Sequence, residues 1–400
     1  MLTGKRILLG ITGGIAAYKT ANLASMLVKL HADVHVIMTQ NAQKIISPVV
    51  FEALTGNKVV DDVFDRDSGY QVAHIAMAQE ADVVMIAPAT ANMIAKLAGG
   101  IADDMLSATM LAVTAPVYIV PAMNTNMLEH PATQANIEKL RAYGYHIIEP
   151  DSGFLACGDT GKGKMPQAEE LLEYILYEAA FQKDLAGKKV LITAGPTREP
   201  LDPVRFLTNH STGKMGYALA KNAVRRGAEV VLVTGPVILP PPLHAQVIRV
   251  TTAQEMYEAV DAHFDSQDIV VMSAAVADYR PVRMAAEKIK KTDVTGILEI
   301  ERTKDILGSM SGRRRGQFLC GFSMETEHML EHSREKLEKK NLDMIIANNL
   351  REEGAGFGTD TNVITILTRD NTCALPKMSK DEVAQIIFDR IISCLEAVGK

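Results

Sequence analysis

Two short segments of the chain have the pattern of a phosphate-binding turn. In each, a basic pair precedes an apolar run that ends in small residues: Thr12-Gly13-Gly14 in the first half and Thr193-Ala194-Gly195 near the midpoint. Small residues between a buried strand and a helix let backbone N–H groups approach an anion at the start of that helix. The first turn lacks the G-x-G-x-x-G spacing of a dinucleotide fold, so a plain tight turn explains it equally well. The pair of turns suggests two nucleotide sites.

Three further side chains in the first half have the chemistry of proton transfer or carboxylate binding. Cys157 lies among glycines between Pro150 and Pro166, a stretch that we predict to be a long irregular loop. Its thiol can donate a proton there, and buried filler is an equally good interpretation. His74 can change charge near neutral pH, although a lone histidine is more often structural. Asn124 follows a buried strand, where it can bind a carboxylate or simply cap the next helix.

The second half contains an anion-binding pattern and two basic clusters. Residues 208–216 place hydroxyl and amide side chains directly before a predicted helix. Lysines cluster at 288–291 and at 336–340, an arrangement that is usually solvated surface. His328 and His332 are four residues apart, which is a zinc-binding spacing, but their charged neighbours favour an exposed helix face.

Length and composition limit the class of protein. The chain has 400 residues, enough for two domains, with 47% hydrophobic and 22% charged residues. A formal net charge of -6 argues against a nucleic-acid binder. Its 4 cysteines have no C-x-x-C spacing, which favours a reducing cytosol. Glycines and Thr12 interrupt the signal-like N-terminal run, and we predict no membrane span.

The order of apolar runs predicts two α/β domains. In each half, strand-like runs alternate with segments of helical period, which is typical of parallel sheets covered on both faces. A helix from about 167 to 181 closes the first domain, and residues 183–188 form the boundary. We also predict a hairpin near the end, with strands at 362–367 and 372–375. The fold class is therefore two Rossmann-like three-layer domains, 1–183 and 184–400.

The order of the motifs resembles one known family. The first half contains GITGGIAAYK at 10–19, His74, PATAN at 88–92, PAMN at 121–124 and SGFLACG at 152–158. The second half contains GPTREP at 195–200, TNHSTGKMG at 208–216, AAVAD at 274–278 and KIKK at 288–291. Each motif alone is modest, but the series covers both halves. The chain thus resembles the bifunctional phosphopantothenoylcysteine decarboxylase/phosphopantothenate-cysteine ligase family of coenzyme A biosynthesis.

For the first half, the resemblance implies a flavodoxin-like, FMN-dependent decarboxylase domain. By this likeness FMN oxidises the cysteinyl group of the substrate, and the loss of carbon dioxide becomes easy because the electrons have an acceptor. His74 would assist at the flavin, Asn124 would bind the departing carboxylate, and Cys157 would protonate the ene-thiol. The residues implied to surround FMN are Thr12, Gly13, Gly14, Ile15, Thr39, Pro88, Ala89, Thr90 and Asn92.

For the second half, the resemblance implies a ligase domain that uses CTP and Mg²⁺. CTP would activate the carboxylate of 4'-phosphopantothenate as an acyl-cytidylate, which cysteine then attacks while CMP leaves. Lys288 would stabilise the negative charge on the phosphates, and Asn209 would take part in the formation of the acyl-cytidylate and in its aminolysis. The implied CTP site consists of Ser273, Ala274, Ala275, Asp278, Lys288, Lys304, Asp305, Ile306, Leu307, Phe322, Lys336 and Lys340. Thr212 and Lys304 depart from the family's usual serine and proline, and metal ligands stay unknown.

The resemblance also implies an assembly and a compartment. The protein would be a cytoplasmic homo-oligomer, with trimers of the first domain linked by dimers of the second. Its partners would be small molecules, with no nucleic acid and no membrane. Two rival functions stay open: a flavin-binding regulatory protein whose second domain senses nucleotides, and a flavin oxidoreductase that uses NAD(P)H. The absence of G-x-G-x-x-G from the second half argues against the latter.

Overall fold

The chain divides into two units, Met1–Phe181 and Gln182–Lys400. The structure is a computed structural model that describes residues 1–64, 72–156, 158–290, 297–325, 328–349, 356 and 358–397. Among these residues, no helix has the length and apolar content needed to cross a membrane.

The first unit alternates strands and helices along most of its length. Its elements are β1 (Arg6–Ile11), α1 (Ala17–Lys29), β2 (Asp33–Met38), α2 (Gln40–Gln43), α3 (Pro48–Thr55), α4 (Ala73–Glu80), β3 (Val83–Ala89), α5 (Ala91–Gly99), α6 (Met105–Ala112), β4 (Val117–Pro121), α7 (Thr125–Glu129), α8 (Pro131–Ala142), β5 (His146–Ile147), β6 (Asp151–Phe154), β7 (Thr160–Lys164) and α9 (Ala168–Ala179).

Five strands of this unit form a parallel sheet in the order β2-β1-β3-β4-β5, which is the flavodoxin-like order. All residues of β3 are buried, as expected for a central strand covered by helices on both faces. Helix α1 directs Ala17, Leu23 and Leu27 into the core on one side of the sheet. The predicted fold of this half is confirmed.

The stretch between Pro150 and Pro166 differs from its prediction. Instead of an irregular loop, β6 and β7 form an antiparallel hairpin in which Gly153 pairs with Gly161. The glycines allow close docking: a Cβ at Gly163 would lie 2.1 Å from the carbonyl oxygen of Met123. Because glycine carries no side chain, this stretch shows no apolar alternation, and the sequence pattern did not indicate strands.

The second unit is larger and follows the same alternation. Its elements are β8 (Lys189–Ala194), β9 (Arg198–Pro200), β10 (Phe206–Thr208), α10 (Lys214–Arg225), β11 (Glu229–Thr234), β12 (Gln246–Arg249), α11 (Ala253–Phe264), β13 (Ile269–Met272), β14 (Tyr279–Pro281), β15 (Ile300–Arg302), α12 (Ile306–Ser311), β16 (Phe318–Glu325), α13 (Met329–Lys339), β17 (Met344–Asn349), β18 (Thr361–Asn362), β19 (Ile364–Thr368), β20 (Thr372–Ala374), β21 (Met378–Ser379) and α14 (Lys380–Ala397).

The main sheet of the second unit has the strand order β12-β11-β8-β13-β16-β17-β19-β20. Its first six strands are parallel and follow the doubly wound order of a Rossmann fold. Strands β19 and β20 extend the sheet in antiparallel fashion, and they form the hairpin predicted near the end of the chain. The Rossmann-like fold predicted for this half is confirmed.

Candidate active sites in the two units

The first candidate site lies at the switch point of the first sheet. Strand β1 lies between β2 and β3, and Thr12 and Pro88 lie at the carboxyl ends of β1 and β3. The Thr12 hydroxyl donates to the carbonyl oxygen of Pro88 (2.7 Å) and accepts from the N–H of Thr90 (3.0 Å). Thr12 is 2% exposed, so these bonds are shielded from water. The structure thus brings these three predicted residues together.

The glycines of the same turn let the backbone approach its neighbours closely. A Cβ at Gly13 would lie 2.7 Å from the Cβ of Asn41, and one at Gly14 would lie 3.2 Å from the Cγ of Pro88. Thr39 caps the short helix α2 by accepting from the N–H of Ala42 (3.3 Å). The backbone of the glycine turn therefore packs directly against Asn41 and Pro88, with the capped helix α2 beside it.

The other residues predicted around this turn differ in exposure. Ala89 is fully buried at the end of β3. Asn92 is exposed in the first turn of α5, and Ile15 is 64% exposed beside the glycines. The buried alanine belongs to the sheet core, while the other two side chains face away from it.

His74 lies in the first turn of α4, a helix that packs against α6. Its Nδ1 atom is buried and has no hydrogen-bond partner among the described residues. A buried polar atom without a partner is costly, which makes it a candidate contact for a ligand.

Asn124 combines the two roles that the sequence left open. Its side-chain oxygen accepts from the N–H of Asn126 (2.9 Å) and so caps helix α7. Its amide nitrogen donates to the Asp159 carboxylate on the β6–β7 hairpin (3.2 Å). Cys157 lies outside the described residues, two positions before Asp159. The β6–β7 hairpin is therefore docked beside Asn124.

The second candidate site is a cavity of about 780 Å³ in the second unit. It lies where β8, β13 and β16 end, at the edge where parallel strands of one sheet direct their loops. Of the predicted CTP-site residues, those that line it are Ser273, Ala274, Ala275, Asp278, Lys304, Asp305, Ile306, Leu307, Phe322, Lys336 and Lys340. Asn209 lines the same cavity. Lys288 does not.

One wall of this cavity carries basic side chains. The Lys340 ammonium contacts the Asp305 carboxylate (2.8 Å), and that of Lys336 donates to the carbonyl of Phe322 (3.1 Å). Lys304 places its nitrogen 3.5 Å from the ring centroid of Tyr257. Burial alone would raise the pKa of Asp305, but its hydrogen bonds, chiefly from Lys340, lower the pKa overall. This carboxyl therefore stays ionised, and it orients Lys340.

The start of helix α10 also lines this cavity. A Cβ at Gly216 would lie 2.5 Å from the Cβ of Ala194, so only glycine allows this approach of helix to strand. Asn209 donates from its amide nitrogen to the carbonyls of Ala275 (3.0 Å) and Val276 (3.2 Å). The N-terminal turn of α10 thus directs backbone N–H groups at the cavity.

Lys288 is exposed, and the backbone of the residue after it is bound by Asp202 and Arg205. The Asp202 carboxylate accepts from the Ile289 N–H (3.2 Å), and Arg205 donates to the Ile289 carbonyl (2.8 Å). Hydrogen bonds from the Arg205 side chain are the main reason that the pKa of Asp202 is strongly lowered. Lys291 lies outside the described residues. The backbone beside Lys288 is therefore positioned by an ion pair.

Sequence reasoning missed two lysines that line the cavity. Lys214 contacts the Asp360 carboxylate (2.7 Å). Lys380 is 7% exposed and donates to carbonyls that include Thr361 (3.1 Å). Burial lowers the pKa of Lys380, and the neighbouring Lys214 lowers it further. Lys214 belongs to the 208–216 motif, which was a usable signal, whereas nothing in the sequence around Lys380 indicated burial.

The structure offers no metal site in the part of the chain that it describes. There, no three His, Cys, Asp or Glu side chains are grouped closely enough to bind an ion. His328 immediately precedes α13 and His332 lies in its first turn; both are exposed, and their ring centroids are 6.0 Å apart. This agrees with the solvated interpretation of that pair.

The ion pair of Asp202 predicts how acid affects the second unit. Folding lowers the pKa of Asp202. The ionised carboxylate therefore contributes its full stabilisation above the ordinary aspartate pKa of about 4, and this stabilisation is lost as the pH falls below that value. Asp202→Asn should therefore flatten the acid limb of a plot of Tm against pH. Thermal unfolding followed by circular dichroism measures this, with the exposed Asp370→Asn as control. Equal steepness in both variants would contradict the assignment.

Comparison with known proteins identifies a known family in each half of the chain. Residues 1–179 match the family described as Flavoprotein, and residues 185–395 match the DNA/pantothenate metabolism flavoprotein C-terminal domain. The chain is 47% identical over 406 residues to the coenzyme A biosynthesis bifunctional protein CoaBC of Bacillus subtilis (strain 168), covering 100% of both. Identity to the protein of the same name from Escherichia coli (strain K12) is 42% over 396 residues, covering 98% of each.

A solved structure, the C-terminal domain of a coenzyme A biosynthesis bifunctional protein CoaBC, shares 44% sequence identity with the chain. It covers 54% of this chain and 100% of its own, with a TM-score of 0.47. The full-length identities are the stronger finding. By these identities the chain belongs to the CoaBC family of bifunctional coenzyme A biosynthesis proteins.

Proposed function

We propose that the chain catalyses two consecutive steps of coenzyme A biosynthesis. The second unit joins 4'-phosphopantothenate to cysteine with CTP, and the first unit decarboxylates the product to 4'-phosphopantetheine. Family membership supports this assignment. The observation that carries the ligase half is the meeting of eleven predicted CTP residues and Asn209 in one cavity. The corresponding domains are residues 1–183 and 184–400.

For the first unit we propose FMN as the bound cofactor, and the residues present fit it. Gly13 and Gly14 let the turn pack closely against Asn41 and Pro88, and the Thr12 hydroxyl hydrogen-bonds between the ends of β1 and β3, so the turn is held at the carboxyl edge of the sheet. The buried Nδ1 of His74 offers a further polar contact. When bound, FMN would accept the electron pair that the substrate's cysteinyl group gives up, which eases the loss of carbon dioxide.

The chain's own groups would bind and protonate the substrate. The Asn124 amide is turned toward the hairpin, where it can donate to the substrate carboxylate. His74 would hold a proton at its buried nitrogen. Cys157 would donate its thiol proton to the ene-thiol left after decarboxylation, and the electron pair held by the cofactor would return to it as hydride, so that 4'-phosphopantetheine forms and the flavin ends oxidised. Its hairpin stays close to Asn124 because Gly161 and Gly163 allow the backbones to dock.

In the second unit the basic wall would stabilise the phosphates of CTP. A carboxylate oxygen of 4'-phosphopantothenate attacks the α-phosphorus and releases pyrophosphate; the cysteine amine then attacks the acyl carbon, loses a proton and releases CMP. Lys304, Lys336 and Lys340 would neutralise the charge that accumulates on the phosphates. Lys288, which does not line the cavity, would meet the phosphate charge of bound CTP, and Mg²⁺ would enter with CTP. Asn209 would position the acyl-cytidylate.

We also propose the assembly that the resemblance implies: trimers of the first domain joined through dimers of the second. Large apolar side chains beside the flavin turn support a subunit contact there, with Ile15 64% and Tyr18 60% exposed. The cytoplasm is the proposed compartment, since Cys320, Cys373 and Cys394 are free thiols. The partners would be small molecules.

Removing the Thr12 hydroxyl should weaken FMN binding. Thr12→Val leaves the Pro88 carbonyl and the Thr90 N–H unpaired, at a cost of about 2 kcal/mol or ~30-fold in affinity. Thr12→Ser keeps the hydroxyl and should retain most of the flavin. Titration of the stripped protein with FMN, followed by flavin fluorescence, compares the two. Equal Kd values for the valine and serine variants would refute this role of the hydroxyl.

Lys288→Ala should lower cytidylate formation by about 100-fold, because one charge that stabilises the phosphates is lost. Lys290→Ala is the matched control, since it removes a lysine from the same short cluster. Pyrophosphate released from CTP in the presence of 4'-phosphopantothenate, without cysteine, measures the step. Unchanged release from the Lys288 variant would show that this side chain does not act there.

The function as a whole is tested by supplying 4'-phosphopantothenate, cysteine, CTP and Mg²⁺ to the purified protein and following the products by mass. We expect CMP and pyrophosphate, then carbon dioxide and 4'-phosphopantetheine. A nucleotide-sensing flavoprotein would form no phosphopantothenoylcysteine. A nicotinamide-dependent oxidoreductase would consume NAD(P)H and form no CMP. Either result would replace the proposal.

A further inference from the structure

Asp159 lies at the end of the hairpin, next to the first residue of β7, and its side chain contacts Asn124. Its carboxylate oxygen is 3.2 Å from the amide nitrogen of Asn124. Its own carbonyl accepts from the N–H of Leu155 (2.8 Å), which closes the end of the hairpin. A carboxylate from the protein itself is thus bound to the amide that, in the proposed function, binds the carboxylate of the substrate.

The orientation of the Asn124 amide follows from its other contact. The backbone N–H of Asn126 can only donate, so the atom that faces it at 2.9 Å is the side-chain oxygen of Asn124. The NH₂ group must then point toward Asp159. Capping of α7 therefore directs a donor, and not an acceptor, at the place where a carboxylate binds.

Docking of the hairpin keeps the two groups together. The Met123 N–H donates to the Gly163 carbonyl (3.1 Å), and the Thr125 hydroxyl donates to the Lys162 carbonyl (2.9 Å). A Cβ at Gly161 would lie 2.3 Å from the Thr125 hydroxyl oxygen. The strand that follows Asp159 is therefore hydrogen-bonded to both neighbours of Asn124, to the backbone of Met123 and to the side chain of Thr125.

We propose that Asp159 is a specificity-determining residue of the first unit. In the absence of substrate its carboxylate binds the Asn124 amide, and the carboxylate of the incoming N-acylcysteine displaces it. The product has no carboxylate, so it binds without displacing Asp159. The exchange lowers affinity for the acid and leaves affinity for the decarboxylated product unchanged. This inference rests on the proposed role of Asn124.

Two ligands without a thiol separate binding from reaction. The probe with a carboxylate is 4'-phosphopantothenoyl-alanine, and the probe without one is the matching N-ethyl amide. Both are titrated into the full-length, FMN-loaded protein while the flavin absorption spectrum is followed, so that only the first unit is observed. Asp159→Ala should tighten the acid by about three- to tenfold and change the Kd of the amide by less than about twofold.

A second variant and a control make the test decisive. Asp159→Asn removes the charge but keeps the shape of the side chain, and it should also lower the Kd of the acid relative to that of the amide. The control, Asp103→Ala, removes another exposed carboxylate of this unit, and Lys96, which contacts it, retains its ion pair with Asp104. This control variant should leave both Kd values unchanged. If the Asp159 variants bind acid and amide in the wild-type ratio, or bind the acid more weakly, the inference is wrong. If neither ligand perturbs the wild-type flavin spectrum, the proposed function of the site fails with it.

Discussion

The polarity of parallel strands is the constraint on which both sites depend. In a parallel sheet all carboxyl ends lie at one edge, and the loops that leave this edge separate where the strand order reverses. In the first unit this reversal occurs beside β1, where Thr12 and Pro88 meet; in the second it occurs beside β8, next to the large cavity. One topological rule, applied to two different strand orders, places two candidate sites in one chain.

Close backbone approach is the second physical theme, and glycine makes it possible in both units. Gly216 allows α10 to start against β8, so its N-terminal N–H groups lie at the cavity. Gly163 allows β7 to contact the segment before Asn124. In each place a methyl group would overlap atoms that are already in contact. The glycines therefore position chemistry that other residues carry out.

The two sites differ in their electrostatics, and the difference matches the reactions proposed for them. The ligase cavity has several ammonium groups on one wall, with Asp305 orienting Lys340, which suits a reaction that concentrates charge on phosphates. The site of the first unit is built from hydroxyl, amide and imidazole groups. Such hydrogen-bonding groups suit a step in which the cofactor takes the electrons and the protein places a carboxylate and a proton.

Sequence periodicity determined both sheets, the closing helix and the late hairpin, because buried strands and amphipathic helices have distinct periods. The family resemblance predicted eleven residues that line the cavity of the second unit, but it also included Lys288, which does not line it, and omitted Lys214 and Lys380, which do. Neither periodicity nor motifs indicated the β6–β7 hairpin, because its glycines have no apolar pattern. They also did not indicate the burial of Lys380 or the contact between Asn124 and Asp159. These features depend on which backbone lies beside which, and residues far apart along the chain become neighbours only when the sheet and its loops are assembled.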